Sequence, residues 1–544
     1  MAAYAPAYID GIRATSRTEF PNTPVFNNWI APSRFEGDLQ FLEVKGTVPT
    51  SIRGIYYSMG VDQRFPPKYE SDILFNGDGI ISAFRIEDGQ IDWKRRYVHT
   101  DRYKAESKAR RPLFGKYRNP FTDDEEVQGI IRTAANTNTT FWRGALLAMK
   151  EDGPPFAVHP ETLETFGRYD FEGQVQSPTF TAHPKIDPRT GSMLCFSYEA
   201  GGNGNDASKE MVFYEINKDG KKITEVWFEA PFCGYSHDFG FTTNYAILPV
   251  SPLKSDLNRL KQGGNHWAWD PKEDHLFAIV PRKNPLSKDV RWVRSDNAFQ
   301  GHIANAFEDE AGKLHYDLSM ADDNVFWWFP EEGKEPLHPG KRGRAIRSPM
   351  TRFIFDTASL SKDSRVEPTY KCETSTEFAR IDDRFQGRRY NHFWALGMDL
   401  TRSYDFEACG PPASGLFNLL VHWNWETKQE EVWWPGPRTT LQEPCFVPRS
   451  EDAPEGDGYI VVVLNRLDLK YIELAFFDAQ HIMDGPIGLS KLPLRPRIAF
   501  HGNFVGLAEI EEFARLREDQ LGPVKPAQKP LPWQIQKQGE HHSC

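Results

Sequence analysis

With 544 residues, 65 basic and 76 acidic side chains and a net charge of −11, the chain lacks the basic balance of a general nucleic-acid binder. No apolar run approaches the roughly 18–20 residues of a membrane span, and the first twenty residues show no basic stretch followed by an apolar one, so no secretory leader is expected. Six cysteines (195, 233, 372, 409, 445 and 544) form no CxxC pair. They read as small buried hydrophobes in a reducing compartment, which makes a cytoplasmic protein the expectation.

Residues 1–33 read as an N-terminal extension. From there the chain alternates short aromatic and β-branched runs with turn residues, the pattern of an all-β protein. Asp88-Gly89 is suited to the positive φ angles of a two-residue hairpin turn, and a helix is expected over 100–111, capped by Thr100. Strand–turn–strand units follow at 156–166, around His159-Pro-Glu-Thr162, and at 212–227, around Lys218-Asp-Gly220. A second helix is expected over 255–262 with Ser255 as its cap. Further hairpins are expected around Ala311-Gly312, Asp356-Thr357, Glu426-Thr427 and Asp478-Ala479, before a third helix over 507–516. The Pro-, Gln- and Lys-rich stretch 519–544 reads as a flexible tail. Hairpins along the whole length suit a β-propeller better than a two-sheet sandwich, and no composition break divides 34–518, which reads as one domain.

Chemistry-bearing motifs of other classes are missing: there is no P-loop, no HExxH and no GxSxG elbow. Gly201-Gly-Asn-Gly204 does not fit the dinucleotide fingerprint and reads as a surface loop. Asp382-Asp383 reads as a solvated turn rather than a catalytic pair, and His541, His542 and Cys544 as part of the tail. Four of the fifteen histidines sit in compact settings beside small residues: Thr-Ala-His183-Pro, Tyr-Ser-His237-Asp, Gln-Gly-His302-Ile and Phe-His501-Gly. His338, in Leu-His-Pro-Gly, is not one of them. Such distant residues meet only if successive strands come round a common axis. Taken singly, each is more often a satisfied core or surface histidine than a ligand, so spacing leaves a metal site the minority reading.

Several longer motifs occur in one order: Phe75-Asn-Gly-Asp-Gly79, Gly115-Lys-Tyr-Arg-Asn119, Ala135-Asn-Thr-Asn138, Lys150-Glu-Asp-Gly-Pro154, Phe180-Thr-Ala-His-Pro184, Gly301-His-Ile-Ala-Asn305, Glu377-Phe-Ala-Arg-Ile-Asp382 and His501-Gly-Asn503. In these the chain, from about Arg34 to Gly506, resembles the carotenoid cleavage oxygenases, and within them the stilbene-cleaving branch. The resemblance implies a seven-bladed β-propeller with loops and helices capping one face. It also implies one non-haem Fe(II) on the axis, held by His183, His237, His302 and His501, with Glu151, Glu377 and Glu443 on the outer ring nitrogens of three of them. Neutral imidazoles suit Fe(II) and four leave coordination positions open. A carboxylate on the distal N–H fixes tautomer and orientation.

The same resemblance assigns Tyr117 and Lys150 to the para-hydroxyl of a phenolic alkene, Phe75 and Phe307 to the cavity walls around its rings, and Thr137 to a place beside the vacant iron position. The expected reaction is cleavage of the central C=C of a 4-hydroxystilbene by O2 to two aromatic aldehydes, with no reducing partner. Rivals are a phenylpropene or apocarotenoid substrate in the same fold, a propeller that only binds partners, and a hydrolytic propeller that no motif supports. One tension stands: neighbours on a strand face opposite ways, so Lys150 and Glu151 both serve the site only if the strand ends or twists there.

Overall fold

The computed structural model describes residues 19–528 except 203–205, 338–344, 362–363 and 411–415. Asn203 and Gly204 of the glycine-rich loop, His338, and His541, His542 and Cys544 lie outside the described residues. The described residues form six antiparallel sheets in chain order. The first orders Gly37–Leu39, Gln90–Tyr97, Gly79–Glu87 and Gly54–Val61, and is completed by Ala499–Gly506 from the other end of the chain. Two four-stranded meanders follow, 138–168 and 185–229. A fourth sheet centres on Tyr245–Lys254, and a seven-stranded one runs from Phe299–Glu308 to Gln429–Trp433. The last, built on Gly458–Arg466, Tyr471–Asp478 and Gly488–Leu492, takes Glu43–Gly46 onto its edge. Strands from both ends of the chain thus stitch the first and last sheets.

Cores form between successive sheets. Met59 and Ile81 pack on Leu146 and Ala148, Leu147 and Met149 on Met193 and Val212, and Leu194 and Phe213 on Leu248 and Leu276. Phe277 then meets Leu314 and Phe353, Leu420 meets Ile460 and Val462, and Val461 and Leu474 return to Tyr56 and Phe84. Each sheet buries a face against the next, and the sixth against the first.

The turn chemistry explains the hairpins. Asp88 (φ 51°) and Gly89 (φ 76°) join Gly79–Glu87 to Gln90–Tyr97 with both central residues left-handed. The units at 156–166, 212–227 and 420–434 are paired strands. Pro349–Phe355 and Tyr370–Arg380 are also paired, but through a long connection in place of a tight turn at Asp356-Thr357. The helix Asp101–Ala109 has the Thr100 hydroxyl accepting from Tyr103 N–H, and Leu507–Leu516 is a helix throughout. The expected helix over 255–262 is one turn, Leu257–Lys261. Its cap is Asp256 rather than Ser255, because the carboxylate accepts the Arg259 N–H. Asp382 is a second correction: it is buried, not solvated, since Arg384 pairs with it and its oxygen caps the turn Asp383–Phe385. Cys195, Cys233, Cys372, Cys409 and Cys445 are buried free thiols. Among the described residues no helix is long and apolar enough to cross a membrane.

Two sequence motifs pack directly on each other. Asn136 donates to the carbonyls of Phe75 (3.0 Å) and Gly77 (2.6 Å), and Gly79 lies so close that a Cβ would meet Ala135 O at 2.4 Å and Ala134 O at 2.6 Å. Both obstacles are backbone, so Gly79→Ala is expected to cost about 1–3 kcal/mol of overpacking, read as a lower thermal midpoint with unchanged far-UV circular dichroism.

Candidate metal centre and the aromatic wall beside it

Each of the four histidines sits where a sheet is interrupted. His183 follows Thr181, whose hydroxyl accepts the His183 N–H (2.9 Å), just before the strand Lys185–Asp187. His237 lies between the short strands Gly234–Tyr235 and Gly240–Phe241. His302 occupies a bulge in Phe299–Glu308, where the register shifts between Gln300 and Ile303, and such a bulge re-aims a side chain. His501 pairs with Met59 beside another shift. The four bring one ligand atom each to within 4.8 Å of the others. His237 Nε2 stands 3.0 Å from both His183 Nε2 and His302 Nε2.

The outer nitrogens face carboxylates. His237 Nδ1 pairs with Glu151 and His302 Nδ1 with Glu377, while His501 Nδ1 lies 3.2 Å from Glu443 Oε2. Glu443 also accepts the Gly502 N–H at 2.7 Å. Room for Glu377 comes from Gly301, where a Cβ would fall 1.9 Å from the carboxylate, and from Phe378, held at φ 55° beside a register shift. Burial pushes each carboxyl up, but the facing imidazole, backbone N–H donors and, at Glu151 and Glu443, the nearby Arg118 and Arg380 together hold all three below the usual carboxylate range. Burial and the neighbouring rings hold His183 well below the usual imidazole range. Burial, against Glu443, brings His501 down to about 4. Burial also opposes charge on His302, but Glu377 raises it.

This donor set fits a metal ion. Two nitrogens bound at right angles to one ion at about 2.1 Å stand about 3.0 Å apart, and a carboxylate on Nδ1 leaves the Nε2 lone pair pointing inward.

Chain geometry resolves the tension at Lys150 and Glu151. The strand Ala145–Met149 ends at Met149, whose carbonyl takes the Thr137 N–H (2.9 Å), and 150–153 is a turn. Glu151 therefore reaches His237, while Lys150 turns to Asp152 (2.8 Å) with its Nζ 4.8 Å from the centre of the Tyr117 ring. Burial lowers the Lys150 ammonium against the pull of Asp152.

An aromatic wall links this pair to the histidines. Tyr117 meets Phe329, and Phe329 meets Phe326. Phe326 lies 5.3 Å from Phe75 and 5.6 Å from Tyr235 (ring centroids), and Tyr235 stacks on His237 at 10°. Trp328 and Phe500 complete the surround of Phe75. Phe307 is not part of this wall. It stacks on His315 and packs with Cys372, Tyr390 and Trp423 in a separate core inside the seven-stranded sheet, so against expectation Phe307 does not stand beside Phe75, and the ring that does is Phe326. Thr137 stands at the end of the Met149 strand pair with its hydroxyl donating to Asn136 Oδ1 (3.3 Å); among the described residues it has no hydrogen bond to the histidines.

Sequence reasoning also passed over Asp152 and the buried network behind Tyr117. Arg118 donates to Glu199 (2.5 Å) and to Tyr198 (2.6 Å), and His266 Nε2 lies 2.9 Å from the same Glu199 carboxylate. Arg118 (φ 51°) and Glu199 (φ 49°) are both left-handed. The signals were present: Arg118 belongs to the Tyr117 motif, and Val325-Phe-Trp-Trp-Phe329 is a dense aromatic run.

Glu377→Gln is expected to cut metal affinity about 10–100-fold and His302→Ala to abolish stoichiometric metal, whereas His315→Ala, at the Phe307 stack, keeps it. Metal analysis of the three purified variants checks this, and equal loss in all three contradicts the ligand set.

The sequence profile described as retinal pigment epithelial membrane protein matches residues 30–506. Resveratrol cleavage oxygenase 1 of Chaetomium globosum is 46% identical, over 98% of this chain and 97% of its own. Isoeugenol monooxygenase of Pseudomonas putida is 38% identical, over 88% of this chain and 98% of its own. The crystal structure of lignostilbene dioxygenase from Pseudomonas brassicacearum matches with a TM-score of 0.85 at 40% identity, covering 90% of this chain and all of that one. The profile spans most of the chain and the relatives align almost end to end, so the chain belongs to the retinal pigment epithelial membrane protein family, the carotenoid cleavage oxygenases, and is an oxygenase of that family.

Proposed function

We propose that the protein is an Fe(II)-dependent dioxygenase that cleaves the central C=C of a 4-hydroxystilbene such as resveratrol, piceatannol or a lignin-derived stilbene, giving two aromatic aldehydes. The observation that carries this reading is Lys150. Its ammonium is buried and paired with Asp152, and no other protein acceptor takes its remaining hydrogens among the described residues. A buried cation with unused donors at the end of an aromatic wall suits a phenolic oxygen. Similarity to resveratrol- and lignostilbene-cleaving enzymes supports the same substrate class.

Iron(II) held by His183, His237, His302 and His501 would supply the activation of dioxygen. The chain's own residues handle the substrate. Lys150 Nζ donates to the phenolic oxygen and favours its ionisation, which drives electron density through the ring toward the alkene. Burial keeps the Tyr117 phenol well above its usual range, so its O–H stays a donor for the same oxygen. Phe75, Phe326, Trp328 and Phe500 hold the rings in a water-poor setting. Asp152 fixes the ammonium in place, and Arg118 with Glu199 anchors the segment that carries Tyr117.

We further read 34–518 as one seven-bladed propeller in the cytoplasm, with 19–33 and 519–528 outside the blades. A count of seven is supported by the seven-stranded sheet, whose two halves bury Phe307 and Met350 against Phe393 and Trp423 and change register at Glu377. A second substrate reading, a phenylpropene, is favoured by the isoeugenol monooxygenase likeness, because that class carries the same phenol.

Lys150→Met keeps the apolar stem and deletes the charge. Its kcat/KM for resveratrol is expected to fall about 100-fold or more with metal content unchanged, and the wild type should discriminate strongly against the 4′-O-methyl ether, whose oxygen has no proton to give up. Product analysis by HPLC with resveratrol, the ether and isoeugenol checks this. Full activity of the variant, or equal cleavage of the ether, contradicts the phenol-anchoring reading.

A further inference from the structure

A cavity of about 380 Å³ reaches the histidines. Its inner end is formed by His183, His302, His501 and Glu443, and none of Phe75, Tyr117, Lys150, Phe326, Trp328 or Phe500 touches it. Its outer end includes Asp383, whose side chain is 59% exposed, and Glu509 on the exposed face of the helix Leu507–Leu516. Between them the wall sets the amides of Asn138, Asn305, Gln386 and Asn503 among the rings of Phe141, Phe239, Phe241 and Phe504. Its cations are neutralised in place. Lys185 pairs with Asp238 at 2.8 Å, and Arg384 pairs with Asp382. Arg380 donates to Gly502 O (2.7 Å) and lies between Glu443 (3.5 Å) and Asp383 (3.4 Å). Glu509 forms no ion pair among the described residues and leaves the mouth net acidic.

The polar half of this wall suits a hydrated cation, whereas Phe75, Phe326, Trp328 and Phe500 pack ring on ring. A divalent cation travels with its water, and stripping that shell against phenylalanine and tryptophan rings carries a large desolvation penalty. A cavity of this size holds on the order of ten waters, and its amides and carboxylates can replace lost water stepwise. From this cavity, with carboxylates at both ends and amides between Asp383, Glu509 and the histidine cluster, we infer that the metal ion loads through it, while the aromatic wall is left to the organic substrate. The inference rests on reading the four histidines as a metal site.

The test follows Co(II) uptake by metal-free protein, using visible absorbance for both the association rate and the equilibrium affinity. Thr140 lines the passage on the strand Asn138–Trp142 and is half-buried, so Thr140→Trp adds an indole to the wall. It should slow uptake about tenfold while leaving the equilibrium affinity within about threefold of wild type. Glu509→Lys, at an exposed position and so a milder change, should slow uptake several-fold at low ionic strength, with the difference disappearing at high salt. Saturating resveratrol, its binding followed by its own fluorescence, should leave the wild-type rate unchanged. Unchanged rates in both variants, or a rate that collapses when resveratrol is bound, overturn the route. A wild-type protein that takes up no Co(II) at all refutes the metal site itself, a different failure.

Discussion

The interaction on which the site depends is the buried carboxylate–imidazole pair, made three times. An unpaired carboxylate in this interior would carry a penalty of several kcal/mol, and each of Glu151, Glu377 and Glu443 escapes it by taking a ring N–H. That bond also decides which imidazole nitrogen is left to face the centre. Making it requires departures from regular structure: a bulge at His302, a left-handed Phe378, and a glycine at 301 where no Cβ could fit. The irregular backbone gathers where the chemistry is, inside sheets that are otherwise regular.

How far the sequence could be read follows the range of the interaction. Hairpin turns are local, and Asp88-Gly89 is legible because two residues set it. Helix ends are nearly so, although the competition between Ser255 and Asp256 for a cap turns on one hydrogen bond. Asp382 misleads because its neighbours are polar, while burial is set by Arg384 and the Ser450–Glu451 carbonyls that hold that arginine. The histidines lie at the far end of this scale. Nothing local to His183 or His501 marks a ligand, and it was likeness to a family, not spacing, that joined them. Phe307 and Phe326 show the limit of that likeness: both are aromatic and near in sequence, but a strand buried within a sheet carries one and the loop after the next strand carries the other.

The end of the strand at Met149 makes two neighbouring residues serve two ends of one site. Glu151 turns toward the histidines and Lys150 toward Tyr117, with Asp152 closing the turn back on Lys150. The carboxylate on His237 and the ammonium beside Tyr117 are thus set by three consecutive side chains. The Arg118–Glu199 pair ties the loop of Tyr117 to the sheet behind it, so the polar end of the aromatic wall rests on buried charges rather than on the rings alone.

The pairing of Ala499–Gly506 with Gly54–Val61 has a consequence for biosynthesis. His501 is contributed by a strand that the ribosome makes more than 400 residues after its partner, so until then a nascent chain holds at most three of the four clustered histidines. Small zinc domains use the ion to fold; here the first sheet must wait, incomplete, for its last strand, and the four histidines come together only when that strand is in place.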